Sequence, residues 1–342
     1  MTSLPPPEKL GFGQYFTDHM FCLNFTEAKG WHNPRVVPYA PLQLDPASSV
    51  LHYGQALFEG MKAFRQRDGR VVLYRPEFNC DRLAEGAERL CMEAPPKELI
   101  LQGIRDLVKK DVSWVPPQKG CALYIRPTLI GTEGFLGVRP SREYLFFVIL
   151  SPVGAYYQGG LTPIRIWVEE KYVRAAPGGL GATKAGANYA ASLRAALEAK
   201  KKGYAQVLWL DPTHQFVEEV GTMNVFFVIN NEIVTPALNG SILAGGVRES
   251  SITLLRDWGY KVTERQISMK EIADAISAGT LTEAFGTGTA AVISPVGELF
   301  FGGKPHLINN SKMGELSQRL YDEFTALQFG EKPDTRGWFE AL

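Results

Sequence analysis

Gly178-Gly179-Leu180-Gly181-Ala182-Thr183-Lys184-Ala185-Gly186-Ala187-Asn188-Tyr189 is the stretch from which the rest of the chain can be read. It sets one lysine among glycines and alanines, a composition too glycine-rich for the interior of a helix or strand. Small neighbours leave room for a large group against the lysine amine. On its own, a lysine in such a loop is far more often a solvated surface residue. Directly after it, Ala190 to Lys202 is rich in strong helix formers and stops at Gly203, which predicts a helix. Further along, Glu218-Glu219-Val220-Gly221-Thr222-Met223-Asn224 supplies paired carboxylates, and this second run shifts the odds towards chemistry.

Three more runs stand in order around these: Phe58-Glu59-Gly60-Met61-Lys62-Ala63, Tyr124-Ile125-Arg126-Pro127 and Gly286-Thr287-Gly288-Thr289-Ala290. Together the motifs resemble the pyridoxal-phosphate enzymes of fold type IV, and more narrowly the branched-chain amino acid aminotransferases. The resemblance extends from about Phe12 to Phe329. It implies a mixed α/β (α+β) fold in two domains: a small N-terminal α/β domain over 12–153, and a larger cofactor-binding domain with a pseudo-barrel β core over 164–342. Residues 1–11, proline-rich and polar, are expected as a disordered lead-in. The linker is expected over 154–163, where Gly154, Gly159, Gly160 and Pro163 gather.

Composition agrees with two folded domains. The chain has 342 residues, too many for one small core, with 45% hydrophobic and 21% charged residues. Basic and acidic residues balance at 36 each, so no cationic excess points to nucleic acid or an anionic membrane. Cys22, Cys80, Cys91 and Cys121 have neither metal-ligand nor redox spacing, and the five histidines show none either. With no apolar leader and no membrane-length apolar run, the expectation is a soluble cytoplasmic protein without a metal.

Local patterns predict several elements. Asp68-Gly69 marks a hairpin joining Met61–Phe64 to Val71–Tyr74. Pro76 opens a helix reaching about Leu90, and a second amphipathic helix covers Lys97 to Lys110. Leu123–Ile130, Tyr144–Leu150, Ile164–Val168, Gln206–Leu210, Val217–Val220, Val225–Ile229 and Glu232–Val234 read as strands, the last two joined at Asn230-Asn231. Helices are expected over Val247–Trp258, from the capping box Ser268-Met269-Lys270-Glu271, and over Glu315–Leu327.

The resemblance also implies roles. Lys184 would hold the aldehyde of pyridoxal 5′-phosphate and, once released, act as general base. Glu219 would stabilise the protonated pyridine nitrogen, and Tyr189 would donate to the phenolic oxygen. Successive residues of a strand face opposite ways, so Glu218 is expected in solvent. Arg82, the helix-start amides of Gly246 and Val247, and the Thr289 hydroxyl would take the phosphate. Phe12, Tyr53, Phe58, Tyr124 and Tyr156 would wall the substrate pocket, with Arg126 meeting glutamate's distal carboxylate. The amides of Thr222 and Ala290, with the Tyr53 hydroxyl, would bind the α-carboxylate. Leu136 and Val138 would reach into the neighbouring subunit's pocket, which implies a homodimer. The expected activity moves the amino group of leucine, isoleucine or valine to 2-oxoglutarate. Animal members carry a Cys-X-X-Cys pair where Ala291 and Ser294 stand here, so that thiol switch is absent.

Rival readings are weaker. D-amino acid transaminases and aminodeoxychorismate lyase share the lysine and glutamate, but the long N-terminal section and the aromatics around Phe58 and Tyr124 favour the branched-chain enzyme. Gly286-Thr287-Gly288-Thr289-Ala290-Ala291 fits a dinucleotide fingerprint, yet Ala290–Ser294 reads as continuing strand with no helix for a pyrophosphate. Gly181-Ala182-Thr183-Lys184 lacks the ending of a P-loop.

Overall fold

β-branched and aromatic residues alternate along short segments in both halves of the chain, and these pair into two separate sheets. The computed structural model describes residues 4–154 and 161–342. The fold divides into two units: Met1–Gln158 with Thr183–Ala187 and Thr325–Leu342, and Gly159–Ala182 with Asn188–Phe324.

The first unit contains β1 (His19–Thr26), β2 (Gly30–Pro38), β3 (Ala56–Phe58), β4 (Met61–Arg65), β5 (Val71–Tyr74), β6 (Ala122–Gly131) and β7 (Glu143–Val153). Its helices are α1 (Ser49–Tyr53), α2 (Pro76–Arg89) and α3 (Lys97–Lys110). The C-terminal strand Phe339–Ala341 completes an eight-stranded sheet, running from it through β5, β4, β6, β7 and β1 to β2, with β3 paired to β6. All of its pairings are antiparallel. Pro76 sits where the helix needs no N–H, which fixes the start of α2. Ile100, Leu101, Ile104, Leu107 and Val108 bury one face of α3 in a core shared with Phe21, Leu123 and Phe146.

The second unit contains β8 (Ile164–Val168), β9 (Gln206–Leu210), β10 (Val217–Val220), β11 (Asn224–Ile229), β12 (Glu232–Thr235), β13 (Val262–Glu264), β14 (Leu281–Gly288), β15 (Val292–Phe301) and β16 (Lys304–Leu307). Helices α4 (Gly186–Lys201), α5 (Gly246–Asp257), α6 (Met269–Ser277) and α7 (Glu315–Phe329) complete the order. A nine-stranded mixed sheet, β10-β9-β8-β15-β14-β11-β12-β13 with β16 on β15, stands where the resemblance implies a barrel-like core. Asn230 and Asn231 take left-handed φ of 51° and 64°, the conformation a type I′ turn requires. Ser268 caps α6 by accepting the Glu271 N–H at 3.0 Å.

Several expectations are revised. The lead-in is ordered from residue 4, with a 3₁₀ turn at Pro7–Lys9 and a fully buried Leu10. Residues 183–187 and 325–342, expected in the C-terminal domain, pack with the first unit. The Phe58 N–H donates to the Lys184 carbonyl at 3.1 Å, and Leu57 bridges Ala185, which ties the lysine segment to β3. Helix α4 begins at Gly186, earlier than the glycine content suggests, because the alanines that follow sustain it. Thr289 and Ala290 form a turn between β14 and β15 rather than strand. No helix follows there, so the dinucleotide reading fails. Part of the expected linker lies outside the described residues.

Candidate active site

In the first unit, Lys184 is half-buried, with Nζ 5.2 Å from the centre of the Phe58 ring. Desolvation pulls its amine below the ordinary lysine range, and the Arg82 charge adds to this while Glu59 opposes it. A lysine whose charge is weakened in this way offers more neutral, nucleophilic amine at neutral pH.

Arg82 on α2 faces Glu59 in a two-pronged pair, Nε to Oε1 at 2.8 Å and Nη2 to Oε2 at 2.7 Å. The side chains are 8% and 1% exposed, so the charges are withdrawn from water together. Asn79 Nδ2 donates to the same carboxylate at 2.7 Å. Burial alone would raise the Glu59 carboxyl, but Arg82, Lys184 and Asn79 hold it below the usual carboxylate range. Glu59, quoted in the sequence only as part of a motif, is thus what orients Arg82.

Phe12, Phe58, Tyr124 and Arg126 also come together. Phe12 meets Tyr124 edge-on at 4.9 Å, and the Arg126 guanidinium lies 4.7 Å from the Phe58 ring centre. Arg126 Nη2 donates to the Tyr124 hydroxyl at 3.1 Å. Its Nε is buried with no hydrogen-bond partner among the described residues. Residue 60 must be glycine here, since a Cβ would fall 2.0 Å from the Tyr124 hydroxyl. The Tyr53 hydroxyl donates to the Leu136 carbonyl within the same chain, where the sequence assigned it to a substrate carboxylate. Leu136 and Val138 are 60% and 86% exposed. Tyr156 lies outside the described residues.

In the second unit, Glu219 is buried on β10, and its Oε1 accepts the Leu243 N–H at 2.8 Å. Arg174 Nε approaches Oε2 at 3.4 Å. No motif had marked Arg174, because its relation to Glu219 arises only in three dimensions. Glu218 is also buried, contrary to expectation. The pairing of β10 with β9 slips between Val217 and Glu219, and this bulge interrupts the alternation on which the expectation rested.

Asn224, opening β11, donates through Nδ2 to the Leu243 carbonyl at 2.9 Å. It packs against Gly245, where a Cβ would meet Asn224 Oδ1 at 2.1 Å. Gly246 and Val247 form the first turn of α5, where backbone amides and the helix dipole favour an anion. Gly181 lies against the Ser241 carbonyl, 2.0 Å from where its Cβ would be, so the lysine loop needs glycine at that point. Tyr189 stands in the first turn of α4, and Thr222 is exposed just after left-handed Gly221.

The first unit supplies a weakened lysine and an oriented arginine, and the second a buried carboxylate and a glycine-led helix start. These are the donor types that suit a phosphorylated pyridine aldehyde. The family model for amino-transferase class IV matches residues 56–299. The chain therefore belongs to the class IV aminotransferases, pyridoxal-phosphate enzymes of fold type IV. Branched-chain-amino-acid transaminase 1 of Bacillus subtilis (strain 168) is 54% identical over 98% of this chain and 94% of its own length. The solved branched-chain amino acid aminotransferase of Escherichia coli is 26% identical with a TM-score of 0.77, over 95% of this chain and 98% of that one. The branched-chain amino acid aminotransferase of T.th., solved with pyridoxamine 5′-phosphate, is 25% identical with a TM-score of 0.80, over 96% and 99%. Within its class, then, this is a member of the branched-chain amino acid aminotransferase family.

Proposed function

We propose that the enzyme reversibly transfers the amino group of L-leucine, L-isoleucine or L-valine to 2-oxoglutarate, giving L-glutamate and branched-chain 2-oxo acids. The observation that carries this reading is the set in the first unit: a charge-weakened Lys184 beside Phe58, with Arg126 held against Phe58 and Tyr124. It combines an amine for an aldehyde cofactor, apolar wall for a branched side chain, and one cation for glutamate's second carboxylate.

Pyridoxal 5′-phosphate is the cofactor, supplying an aldehyde carbon that takes up the amino group and a ring that withdraws electrons from the substrate's α-carbon. The chain's residues do the rest. Lys184 would hold that aldehyde and, as an amine, would serve as the base for the proton at the substrate's α-carbon. Glu219, positioned by Leu243 and Arg174, would steady a protonated ring nitrogen, and Tyr189 would donate to the phenolic oxygen. Arg82, Gly246, Val247 and Thr289 would hold the phosphate. The amides of Thr222 and Ala290 take the α-carboxylate. Phe12, Tyr53, Phe58 and Tyr124 would exclude water around the side chain. In the same reading the enzyme is a cytoplasmic homodimer, with Leu136 and Val138 completing the neighbouring pocket. The cysteines, none of them in a disulfide, suit a reducing compartment.

Arg126→Ala tests the substrate assignment. Loss of a hydrogen bond to a charged group predicts a fall in kcat/KM for glutamate of about tenfold or more. Leucine should lose much less. Equal losses for both donors would contradict the role given to Arg126.

A further inference from the structure

Glu218 has no part in the chemistry above, yet it is 1% exposed. Its Oε1 accepts the Ser241 hydroxyl, while Oε2 is buried with no hydrogen-bond partner among the described residues. The residue lines a small cavity of about 80 Å³ within the second unit, room for a few water-sized groups. A buried carboxylate oxygen left without a donor is a group that calls for an unseen partner.

The lining says which kind. Pro177, Pro212 and Pro236 contribute no N–H, the Pro236 carbonyl already accepts from Arg248 Nη2 at 3.0 Å, and Asn239 and Gln266 are the amide-bearing residues of the wall. Among the described residues, no lysine, arginine or histidine lines it. Asp211 is there, but its oxygens already accept from the Thr213, Gln215 and Phe216 amides and the Thr213 hydroxyl. Asn239 Oδ1 likewise accepts from the Ser241 N–H and hydroxyl, so Glu218 Oε2 is the one available carboxylate oxygen, too little anionic charge for a divalent ion but suited to a monovalent one.

We propose that this cavity binds a monovalent alkali cation on Glu218 Oε2. The site is linked to the cofactor carboxylate through one short loop: Ser241 binds Glu218, and Leu243 binds Glu219. An ion there steadies the loop that positions Glu219. The cavity proposal itself does not depend on which substrates the enzyme takes.

The test compares thermal midpoints of the cofactor-loaded protein in potassium, sodium and rubidium chloride against choline chloride at equal ionic strength. At least one alkali cation should raise the midpoint saturably, by about 2 °C or more, and Glu218→Gln should abolish the rise. Crystals grown in rubidium chloride should show an anomalous peak beside Glu218 Oε2, a readout that needs no variant. Equal midpoints in all salts, an undiminished rise in Glu218→Gln, stabilisation by calcium or magnesium alone, or no peak at Glu218 would each overturn the proposal.

Discussion

Lys62 lies on β4 with 7% of its surface exposed, and burial lowers its pKa to about 8, against a smaller raising effect from Cys121. In the unfolded chain the same amine keeps its proton to about pH 10.4. Between those values the unfolded state binds more protons, so stability rises with pH across that window. The full effect is about 3 kcal/mol, present as a penalty below pH 8 and relieved by pH 10.5. Lys62→Met should therefore gain stability relative to the natural chain at pH 7, with the gap closing as pH approaches 10.5. Urea midpoints across that range measure it, and a gap independent of pH would contradict the origin given. At this scale the sequence exposed Lys184, Arg126 and Glu219, because each is a chemically loaded residue inside a short motif, while Arg82 came only through the resemblance. It hid Glu218 and Arg174. A strand rule misplaces Glu218 at a bulge, and Arg174 acquires its partner only when distant segments meet.

Elements were legible where local signals agree. Helix α3 has the predicted bounds Lys97–Lys110, since prolines precede it and its apolar positions recur with helical spacing. The α6 start rests on one side chain, so Ser268→Ala should lower stability by about 1 kcal/mol. Thermal unfolding measures this, and an unchanged midpoint would show that the cap hydrogen bond contributes nothing. Strand β2 was not legible. It contains Pro34, Pro38 and a left-handed Asn33, features tolerated there because β2 is an edge strand. Its partner β1 slips register between Cys22 and Asn24, which blurs the alternation a reader would look for.

For the whole molecule, five motifs in order were enough to reach the fold, but not to assign 183–187 and 325–342 to their unit. That assignment depends on tertiary hydrogen bonds, such as Phe58 N–H to Lys184 O, that no periodicity encodes. The proposed homodimer belongs at this scale too. Sedimentation equilibrium should give twice the 37.8 kDa chain mass, and Leu136→Asp should weaken association. A monomer at every concentration would contradict the shared-pocket reading. The central claim is that Lys184 carries the cofactor. It is tested most directly by reducing the cofactor-loaded enzyme with borohydride, digesting it, and locating the added mass by tandem mass spectrometry. The label should fall on Lys184. A label on another lysine, the charge-weakened Lys62 included, or no covalent label at all, would contradict it.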